Sequence, residues 1–317
     1  VTPDSKLVVT ASTDKTMRIW ELGAKDPSVT GVKFDTESDI NQLEIDPNSN
    51  WILTSSKDGK VTAWNLAAHK REVDKIELTG HTADARSIAV SADGRWLISG
   101  STDGSAFVWD FQGHTPPANT GYFVARMHQG AVQSAAVSQD GRRFLTVGAD
   151  KLAWLWGFDD ANRPRPLVAL AGHEGSVNAV ALSTDGRWGA PAGHDKTVRV
   201  WDLVKSNPNE SVKILEGHAD EITKLAYSPD GALLFSASTD KTVRAWKSAD
   251  WTSTVLGGHT DEVVTLAVSP NGHWLVSADL AGQLRVWDLE APLGTAKQQE
   301  VAHESEIWML AFSADSK

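Results

Sequence analysis

The stretch SASTDKTVRAW, Ser236–Trp246, decides the fold because its pattern recurs along the whole chain. A tryptophan that closes a short β-branched run returns at intervals of 44, 45, 47, 45, 45 and 41 residues. In six of the seven copies an aspartate stands six residues before the tryptophan, and in six a serine or threonine stands ten before it. Self-similarity at such a period indicates a repeat architecture. The repeat tryptophans are Trp20, Trp64, Trp109, Trp156, Trp201, Trp246 and Trp287.

A histidine, usually preceded by glycine, is the second marker. Five histidines, each 28 residues before a repeat tryptophan, share this position: His81, His128, His173, His218 and His259. Between the markers lie alternating or β-branched runs such as SIAVS and WLISGS, separated by D-G and N-G turns. This pattern predicts four short antiparallel strands in each repeat. One such sheet cannot bury both of its faces, so the repeats are expected to pack on one another in a radial array.

The succession G-H, P-D-G, S-x-S-x-D-K-T-V-R-x-W and D-L resembles the WD-repeat (WD40) family over essentially all 317 residues. The resemblance implies an all-β, seven-bladed β-propeller whose blades are four-stranded antiparallel sheets. It also implies that residues 1–317 form a single propeller domain. The alternation of strand runs and turn signals agrees with this expectation, because no stretch carries a convincing helical period.

The two ends of the sequence predict how the ring closes. An offset of 311 residues aligns FSADSK, residues 312–317, with VTPDSK, residues 1–6. Residues 307–313 are therefore expected to supply the innermost strand of the first blade, and residues 7–34 its other three strands. Such a split blade would close the ring and remove free sheet edges. The chain begins and ends within a blade, which suggests a domain excised from a longer polypeptide. One interpretation is that further repeats follow Lys317. The other is that the protein has a single propeller and that the boundary is arbitrary.

In the WD-repeat family the histidine, hydroxyl residue, aspartate and tryptophan of one blade form a hydrogen-bonded chain. A serine, histidine and aspartate together could also suggest a hydrolase, but no fold needs the set repeated around the chain. The structural interpretation is therefore preferred, since a buried indole or imidazole nitrogen must be paired. The resemblance assigns four complete sets: His303/Thr10/Asp14/Trp20, His81/Ser99/Asp103/Trp109, His128/Thr146/Asp150/Trp156 and His218/Ser236/Asp240/Trp246.

Three blades depart from the pattern. Thr36 stands where the second blade should have histidine, and Ala281 where the seventh should have aspartate, although Asp279 lies two residues away. Pro191 replaces the hydroxyl residue of the fifth blade within a central strand, where proline removes a ladder donor. We therefore expect a bulge or local distortion at 189–191. The departures are either tolerated degeneracy in a repeat array or, in the fifth blade, a modified edge that selects a partner.

The family resemblance also points to a docking surface, because the face that carries the histidines frequently binds partners. The residue five positions after the histidine tends to point at the channel mouth: Trp308, Asn41, Arg86, Gln133, Asn178, Thr223 and Val264. Acidic residues fill five of the seven positions three after the histidine: Glu306, Asp39, Asp84, Glu221 and Glu262. These residues predict an acidic face with Trp308 near its centre, suited to a basic protein or peptide. The alternative is that exposed turns in an acidic protein are simply polar.

Composition excludes several classes of function. The formal charge is −11, from 30 basic and 41 acidic residues, and there is no cysteine. Without cysteine there is no disulfide framework, thiolate metal site or thiol nucleophile. Basic residues are not clustered, so nucleic acid is not an expected partner. No apolar run approaches the roughly 18 residues of a membrane helix, and no signal peptide is visible. A cytoplasmic monomer without membrane, metal or cofactor is the expectation.

The preferred functional interpretation is a non-catalytic interaction scaffold or a sensor beside an effector domain. Motifs for nucleotide binding, zinc proteolysis and serine hydrolysis are all missing from the sequence. The alternative is an enzyme or small-ligand-binding propeller that uses the channel mouth, which predicts titratable groups with strongly shifted pKa values at one end of the channel. A purely architectural repeat is a third option.

Overall fold

The computed structural model describes residues 1–12, 15–23, 31–66, 74–111, 121–124, 127–293, 296–302 and 307–313. The chain divides into two compact units. The first comprises Val1–Asp150 and Trp154–Val168 with a short C-terminal piece, and the second is built chiefly of Ala169–Phe312. Both consist of antiparallel sheets, which agrees with the strand and turn pattern of the sequence.

Four sheets belong to the first unit, and strands are paired in chain order within each. Sheet 1 contains β1 (Leu7–Ser12), β2 (Thr16–Glu21) and β3 (Val32–Asp35). Sheet 2 contains β4 (Ile40–Ile45), β5 (Trp51–Ser56), β6 (Val61–Asn65) and β7 (Lys75–Leu78). Sheet 3 contains β8 (Ala85–Val90), β9 (Trp96–Ser101), β10 (Ala106–Asp110) and β11 (Gly121–Val124). Sheet 4 contains β12 (Val132–Val137), β13 (Arg143–Gly148), β14 (Ala153–Phe158) and β15 (Pro164–Leu170).

Three sheets belong to the second unit, again with strands paired in chain order. Sheet 5 contains β16 (Val177–Leu182), β17 (Trp188–Gly193), β18 (Val198–Asp202) and β19 (Lys213–Leu215), with a 3-10 turn at Pro208–Ser211 before its last strand. Sheet 6 contains β20 (Ile222–Tyr227), β21 (Leu233–Ser238), β22 (Val243–Lys247) and β23 (Ser253–Leu256). Sheet 7 contains β24 (Val263–Val268), β25 (Trp274–Asp279), β26 (Gln283–Asp288) and β27 (Ala296–Ala302).

Seven antiparallel sheets, one for each sequence repeat, confirm the predicted all-β, seven-bladed propeller class. Six sheets have four strands, and sheet 1 has three, Leu7–Ser12, Thr16–Glu21 and Val32–Asp35. The three strands are those expected from residues 7–34, so the strand count is consistent with a split first blade. The innermost strand expected at residues 307–313 is not formed, because the structure describes these residues and they belong to no strand.

The turns between the first and second strands form because a hydroxyl and a carboxylate cap them locally. Ser91 Oγ donates to Asp93 Oδ1 over 2.5 Å, and the same carboxylate accepts the Arg95 amide over 3.0 Å. Gly94 follows with a φ of 69°, a conformation that glycine adopts without steric cost. The D-G pair in the sequence is thus the turn signal that the strand prediction required.

The sequence predicts a bulge or a local distortion at residues 189–191, and the structure has a local distortion of the strand pairing without a bulge. Pro191 pairs with Val180 in unbroken register. The one bulge of this strand pair lies between Val177 and Ala179, at the place where the first and second strands of the other four-stranded sheets also have one. On its other edge, β17 keeps the register of Gly189 with Trp201 and of Ala192 with Val198, but the pairs between them are missing. Proline has no N–H to donate, so the ladder is interrupted locally without inserting a residue.

Six of the seven repeat tryptophans are core residues, and the exception, Trp20, is partly buried. Trp109 and Trp201 are fully buried, and Trp156 is 2% exposed. Each lies in the last part of the third strand of its sheet. Trp109 belongs to an apolar cluster with Leu53 of sheet 2 and Ile88 of sheet 3. Burying a side chain of this size removes on the order of 150–250 Å² from water, which stabilises the fold by about 4–6 kcal/mol as an upper bound.

Candidate functional site

Sheet 6 contains the complete histidine network that the resemblance assigns. The Trp246 indole N–H donates to Ser236 Oγ over 2.9 Å, and the same hydroxyl lies 2.7 Å from His218 Nε2. His218 Nδ1 lies 2.8 Å from Asp240 Oδ2. We call this chain from indole through hydroxyl and imidazole to carboxylate the relay. It ties the turn before β20 to β21 and β22, so it fixes register as well as satisfying buried groups.

The carboxylate at the end of the relay is held in its charged form. Burial raises the pKa of Asp240, but hydrogen bonds from His218, Thr242 and the Ala219 amide outweigh burial and bring the pKa well below its usual range. Because an ionised carboxylate only accepts hydrogen bonds, His218 must donate from Nδ1. Its Nε2 is then the acceptor for the Ser236 hydroxyl, and every polar group of the relay is paired.

Sheet 4 repeats the same arrangement. His128 Nε2 lies 2.9 Å from Thr146 Oγ1, and its Nδ1 lies 3.0 Å from Asp150 Oδ1. The Trp156 indole donates to Thr146 over 2.9 Å. The set predicted for this sheet is therefore brought together in full.

Sheet 7 completes the relay with a residue from a different position. His259 Nε2 lies 2.7 Å from Ser277 Oγ, which also accepts the Trp287 indole N–H over 3.1 Å. Asp279, at the end of β25, supplies the carboxylate at 3.0 Å from His259 Nδ1. The expected departure at Ala281 is thus compensated two residues earlier, and both side chains of the pair are fully buried.

Sheet 3 inserts an additional hydroxyl. His81 Nε2 lies 2.8 Å from Ser99 Oγ, and Trp109 donates to the same oxygen over 3.1 Å. On its other side His81 Nδ1 contacts Ser105 Oγ at 3.0 Å, and Ser105 in turn donates to Asp103. Burial lowers the pKa of His81 to about 4, and Asp103, 3.7 Å away, only partly offsets this effect. The imidazole is therefore neutral at pH 7.

Sheets 1 and 2 retain only the indole-to-hydroxyl step among the described residues. Trp20 donates to Thr10 over 3.0 Å, whereas the predicted Asp14 and His303 lie outside the described residues. In sheet 2 Trp64 donates to Thr54 over 2.9 Å. Thr36, which replaces the histidine, donates to the carbonyl of the nearby turn at residue 38.

An exposed ionic cluster accompanies the missing histidine of sheet 2. Lys60 Nζ lies 2.8 Å from Glu37 Oε2, and Lys75 Nζ lies 3.0 Å from Glu37 Oε1. These hydrogen bonds lower the pKa of Glu37 to about 2, and the bond from Lys60 has the largest effect. Because the three side chains are solvent-exposed, their pairing contributes little to stability.

The relay chemistry does not favour a nucleophile. Ser236, Ser99 and Thr146 are fully buried, and each hydroxyl both receives an indole N–H and contacts an imidazole nitrogen. A hydroxyl enclosed in this way has no path to a substrate, whereas a catalytic serine must reach a reacting atom. The geometry therefore supports the structural interpretation of the histidine, hydroxyl and aspartate sets.

The glycine before the marker histidine was not explained by sequence reasoning. Gly217 has a φ of 148°, and a Cβ built there would lie 2.6 Å from Arg244 Nη1. Arg244 Nη2 donates to the Gly217 carbonyl over 2.7 Å. The same approach joins Gly172 to Arg199 and Gly258 to Arg285. A signal was present in the sequence, because glycine before histidine accompanies arginine two residues before tryptophan in these three repeats.

A second candidate for a functional site is an exposed surface. It lies at the end of each sheet that carries the marker histidine and the turn after it, and we call this the histidine end. In the first unit, Asn41 Nδ2 donates to Asp84 Oδ1 over 2.6 Å and to the Ala85 carbonyl over 2.8 Å. Arg86 Nη1 donates to Gln133 Oε1 over 2.9 Å. These predicted binding residues are therefore engaged in bonds from one sheet to the next within the unit.

The acidic residues predicted in the first unit are also paired. Asp39 Oδ2 lies 2.8 Å from Lys57 Nζ, and the hydrogen bond from Lys57 lowers the pKa of Asp39. Asp84 Oδ2 lies 3.5 Å from Arg86 Nε. Cations of the same unit thus neutralise both carboxylates that were expected to contribute to an acidic face.

The histidine ends of the second unit are organised differently. Thr223 Oγ1 donates to the Val263 carbonyl over 2.6 Å, and Asn178 Oδ1 accepts from Ser176 over 3.0 Å. Glu221 Oε1 lies 2.9 Å from His194 Nδ1, a partner that is charged only when protonated. Among the residues that the structure describes, no lysine, arginine or histidine pairs with Glu262. Negative charge is therefore less compensated here than in the first unit.

Trp308 is the most exposed large apolar side chain among the described residues, at 63%. The neighbouring Met309 is 45% exposed. Glu306, which was expected to join this surface, lies outside the described residues together with His303. An exposed indole of this kind is a common anchor in protein interfaces.

Two lysines missed by sequence reasoning connect neighbouring sheets at the same end. Lys196 Nζ donates to the Ala219 carbonyl over 2.8 Å, and Lys241 Nζ donates to the Thr260 carbonyl over 2.9 Å. Each lysine follows the repeat aspartate in a left-handed conformation, with φ of 66° and 68°. The lysine of the D-K-T pattern thus bonds the turn after the histidine of the following sheet within the second unit.

Two features of the described part of the chain bear on other classes of function. Within the described ranges, no three histidine or acidic side chains are grouped so that they could hold a metal ion. The same residues include no helix long and apolar enough to cross a membrane.

Comparison with known proteins gives one family and one relative. The family model described as "WD domain, G-beta repeat" matches seven regions that together cover most of the chain: residues 1–21, 26–65, 73–110, 122–157, 164–202, 209–247 and 251–288. A relative, "Target of rapamycin complex subunit wat1" of Schizosaccharomyces pombe, is 38% identical over 63 residues. That match spans 20% of this chain and 19% of the relative.

Proposed function

Because the chain belongs to the WD40-repeat family, we propose that it is a non-catalytic scaffold or sensor that binds a protein or peptide of basic character at the histidine ends of its sheets. One observation carries the non-catalytic part of the proposal. The hydroxyl, imidazole and carboxylate groups that could perform chemistry are buried and engaged with one another in the relays. The exposed turns beside the relays are therefore the part of each sheet that can bind a partner.

The histidine ends of the second unit are the preferred docking surface. Glu262 has no cationic partner among the described residues, and Glu221 is paired only with His194. Trp308, which is also in this unit, supplies exposed aromatic area. Carboxylates would attract and orient a lysine- or arginine-rich segment, whereas the indole would contribute the desolvated contact.

The first unit is expected to support binding in a different way. Arg86 and Gln133 hold each other at 2.9 Å, and Asn41 bonds the next inner strand. Residues that are already fixed lose little conformational freedom when a partner arrives. We therefore assign Asn41, Arg86 and Gln133, with the neutralised Asp39 and Asp84, to a preorganised rim rather than to the acidic centre.

The relative supports assembly rather than catalysis. Its printed name describes a subunit of a target of rapamycin complex, and the shared segment is short. We propose by analogy that this chain also acts as a subunit of a multiprotein assembly, as a monomeric propeller in the cytoplasm. The proposal requires no nucleic acid, membrane, metal or cofactor.

Capture from the native lysate distinguishes this function from an enzyme or small-ligand role. The wild-type protein and Glu262→Lys are compared, with Glu290→Lys as a matched control at the opposite end of sheet 7. We expect a basic protein that is retained by the wild type and by Glu290→Lys but depleted with Glu262→Lys. Retention of a small molecule without any protein would favour the alternative propeller function and overturn the proposal.

A further inference from the structure

Sheet 5 lacks the central oxygen of the relay. Pro191 stands where sheet 6 has Ser236, and it pairs with Val180 as Ser236 pairs with Leu225, 45 residues further on. The outer part of the relay is retained, because His173 Nδ1 lies 2.7 Å from Asp195 Oδ2. The substitution therefore removes one hydroxyl from an otherwise conserved arrangement of side chains within the protein.

Two buried nitrogens are left without a hydrogen-bond partner as a result. The structure pairs neither His173 Nε2 nor Trp201 Nε1. The His173 side chain and Trp201 are both fully buried. Buried polar groups are nearly always satisfied in folded proteins, so two at one location indicate a ligand that both can reach.

The two nitrogens have complementary hydrogen-bonding roles. Hydrogen bonds from His173 and from backbone amides outweigh burial and hold the pKa of Asp195 well below its usual range, so the carboxylate is ionised and His173 donates to it from Nδ1. With Nδ1 donating, Nε2 is an acceptor whenever the imidazole is neutral, whereas the Trp201 indole nitrogen can only donate. A ligand between them must accept one hydrogen bond and donate another.

The spacing of the rings is that of a bridged pair. The centroids of His173 and Trp201 are 6.0 Å apart. In sheet 6 the centroids of His218 and Trp246 are 6.5 Å apart, and Ser236 Oγ bridges them. Sheet 5 thus keeps its rings at nearly the separation that one oxygen atom spans.

The two residues before Pro191 in β17 have small side chains or none. Strand β17 has Gly189 and Ala190 where β21 has the fully buried Leu234 and Phe235. The ladder from β17 to β18 is also interrupted beside Pro191. The second strand of sheet 5 therefore has less side-chain volume and fewer ladder pairs than the second strand of sheet 6.

We propose that sheet 5 binds one buried water molecule between His173 Nε2 and Trp201 Nε1, in the position of the missing hydroxyl. The water accepts the indole N–H and donates to the imidazole, so it completes the relay of this sheet. A water with these partners in a polar, enclosed location is held as part of the structure. Sheet 5 is then the one described blade whose relay is closed by an exchangeable molecule.

Crystal structures of the wild type, Pro191→Ser and Pro191→Ala test this site. We expect a water oxygen within about 2.7–3.2 Å of both nitrogens in the wild type and in Pro191→Ala, and the serine Oγ in its place in Pro191→Ser. A direct bond between His173 and Trp201, or rings that keep their spacing with no density between them, would overturn the proposal.

A solution measurement covers the case in which a variant does not crystallise. Oxygen-17 magnetic relaxation dispersion counts long-lived internal waters. The count is expected to fall by one from the wild type to Pro191→Ser and to remain unchanged in Pro191→Ala. Equal counts in the wild type and Pro191→Ser would contradict the proposal, whatever the result of partner binding.

Discussion

Trp246 donates its indole N–H to Ser236 Oγ over 2.9 Å, although ten residues separate them in the chain. The register of sheet 6 places Ser236 opposite Arg244, two residues before the tryptophan, so the bond crosses diagonally from one strand to the next. Because His218 contacts the same oxygen at 2.7 Å, one hydroxyl satisfies two buried nitrogens. This geometry explains why the hydroxyl residue recurs at a fixed distance from the tryptophan.

Removal of that hydroxyl should destabilise the protein. We expect Ser236→Ala to lower the free energy of unfolding by about 1–3 kcal/mol, because His218 and Trp246 would keep unpaired buried groups. Urea denaturation gives the value, and Thr252→Ala, at an exposed hydroxyl in the turn before β23, serves as the control. An equal effect of both substitutions would show that the relay adds nothing to stability.

The glycine before the histidine should not tolerate a side chain. We expect Gly217→Ala to cost about 1–3 kcal/mol, because its φ of 148° is unfavourable for alanine and the new Cβ would lie 2.6 Å from Arg244 Nη1. Gly257→Ala is the matched control, since no atom lies within 4 Å of a Cβ built there. Thermal unfolding compares the two variants, and equal midpoints would reject the packing argument.

His81 should make stability depend on pH. Burial lowers the pKa of His81 to about 4 in the folded protein, whereas an unfolded histidine titrates near 6.5. Between these values the unfolded state binds more protons, so stability is present above pH 6.5 and is lost as the pH falls toward 4. The contribution is at most about 3 kcal/mol.

The His81→Gln variant isolates that contribution. Its free energy of unfolding, measured by urea denaturation from pH 7 to pH 4, should decline less steeply than that of the wild type. The two proteins share every other titratable group, so the difference between the two curves is the relevant quantity. Parallel curves would mean that His81 is not held in its neutral form by burial.

The left-handed turn after the repeat aspartate predicts a stabilising substitution. Lys151 has a φ of 69°, whereas Gly59, Gly104 and Gly282 occupy the corresponding position in three other sheets. We expect Lys151→Gly to raise the free energy of unfolding by up to about 1 kcal/mol, because a side chain in this conformation costs more than the added chain entropy of glycine.

Lys224→Gly is the control for this substitution. Lys224 lies in strand β20, where glycine weakens the strand, so its replacement should lower stability. Urea denaturation ranks both variants against the wild type. If Lys151→Gly lost as much stability as Lys224→Gly, the backbone conformation would not explain why glycine and lysine alternate at this position.

Much of the fold could be predicted because fixed spacings report local geometry directly. The tryptophan period gave the number of sheets, and the D-G pairs gave the turns. Sequence reasoning failed where a residue outside the expected repeat position contributes to the relay. Asp279 replaces an aspartate expected two residues later, and Ser105 enters the sheet 3 relay because its hydroxyl lies between His81 and Asp103.

The candidate site was less predictable than the fold. Spacing identified Asn41 and Arg86 as residues of the histidine ends, but it could not show that their side chains bond the next sheet. Pro191 was expected to cause a bulge or a local distortion; because proline removes a donor without adding a residue, the register persists and only the ladder beside Pro191 is interrupted. Pairing of this kind depends on side-chain reach, which a one-dimensional period does not encode.

The central claim is that a basic partner docks on the histidine ends of the second unit, and peptide binding tests it most directly. Fluorescence anisotropy is used to titrate a lysine- and arginine-rich peptide with the wild type, Glu262→Lys, Trp308→Ala and the control Glu290→Lys. We predict that Glu262→Lys and Trp308→Ala each weaken the affinity by about tenfold or more, equivalent to about 1.4 kcal/mol or more. The control Glu290→Lys should bind with wild-type affinity. Binding should also weaken as the salt concentration increases. Unchanged affinity in both Glu262→Lys and Trp308→Ala would contradict the claim.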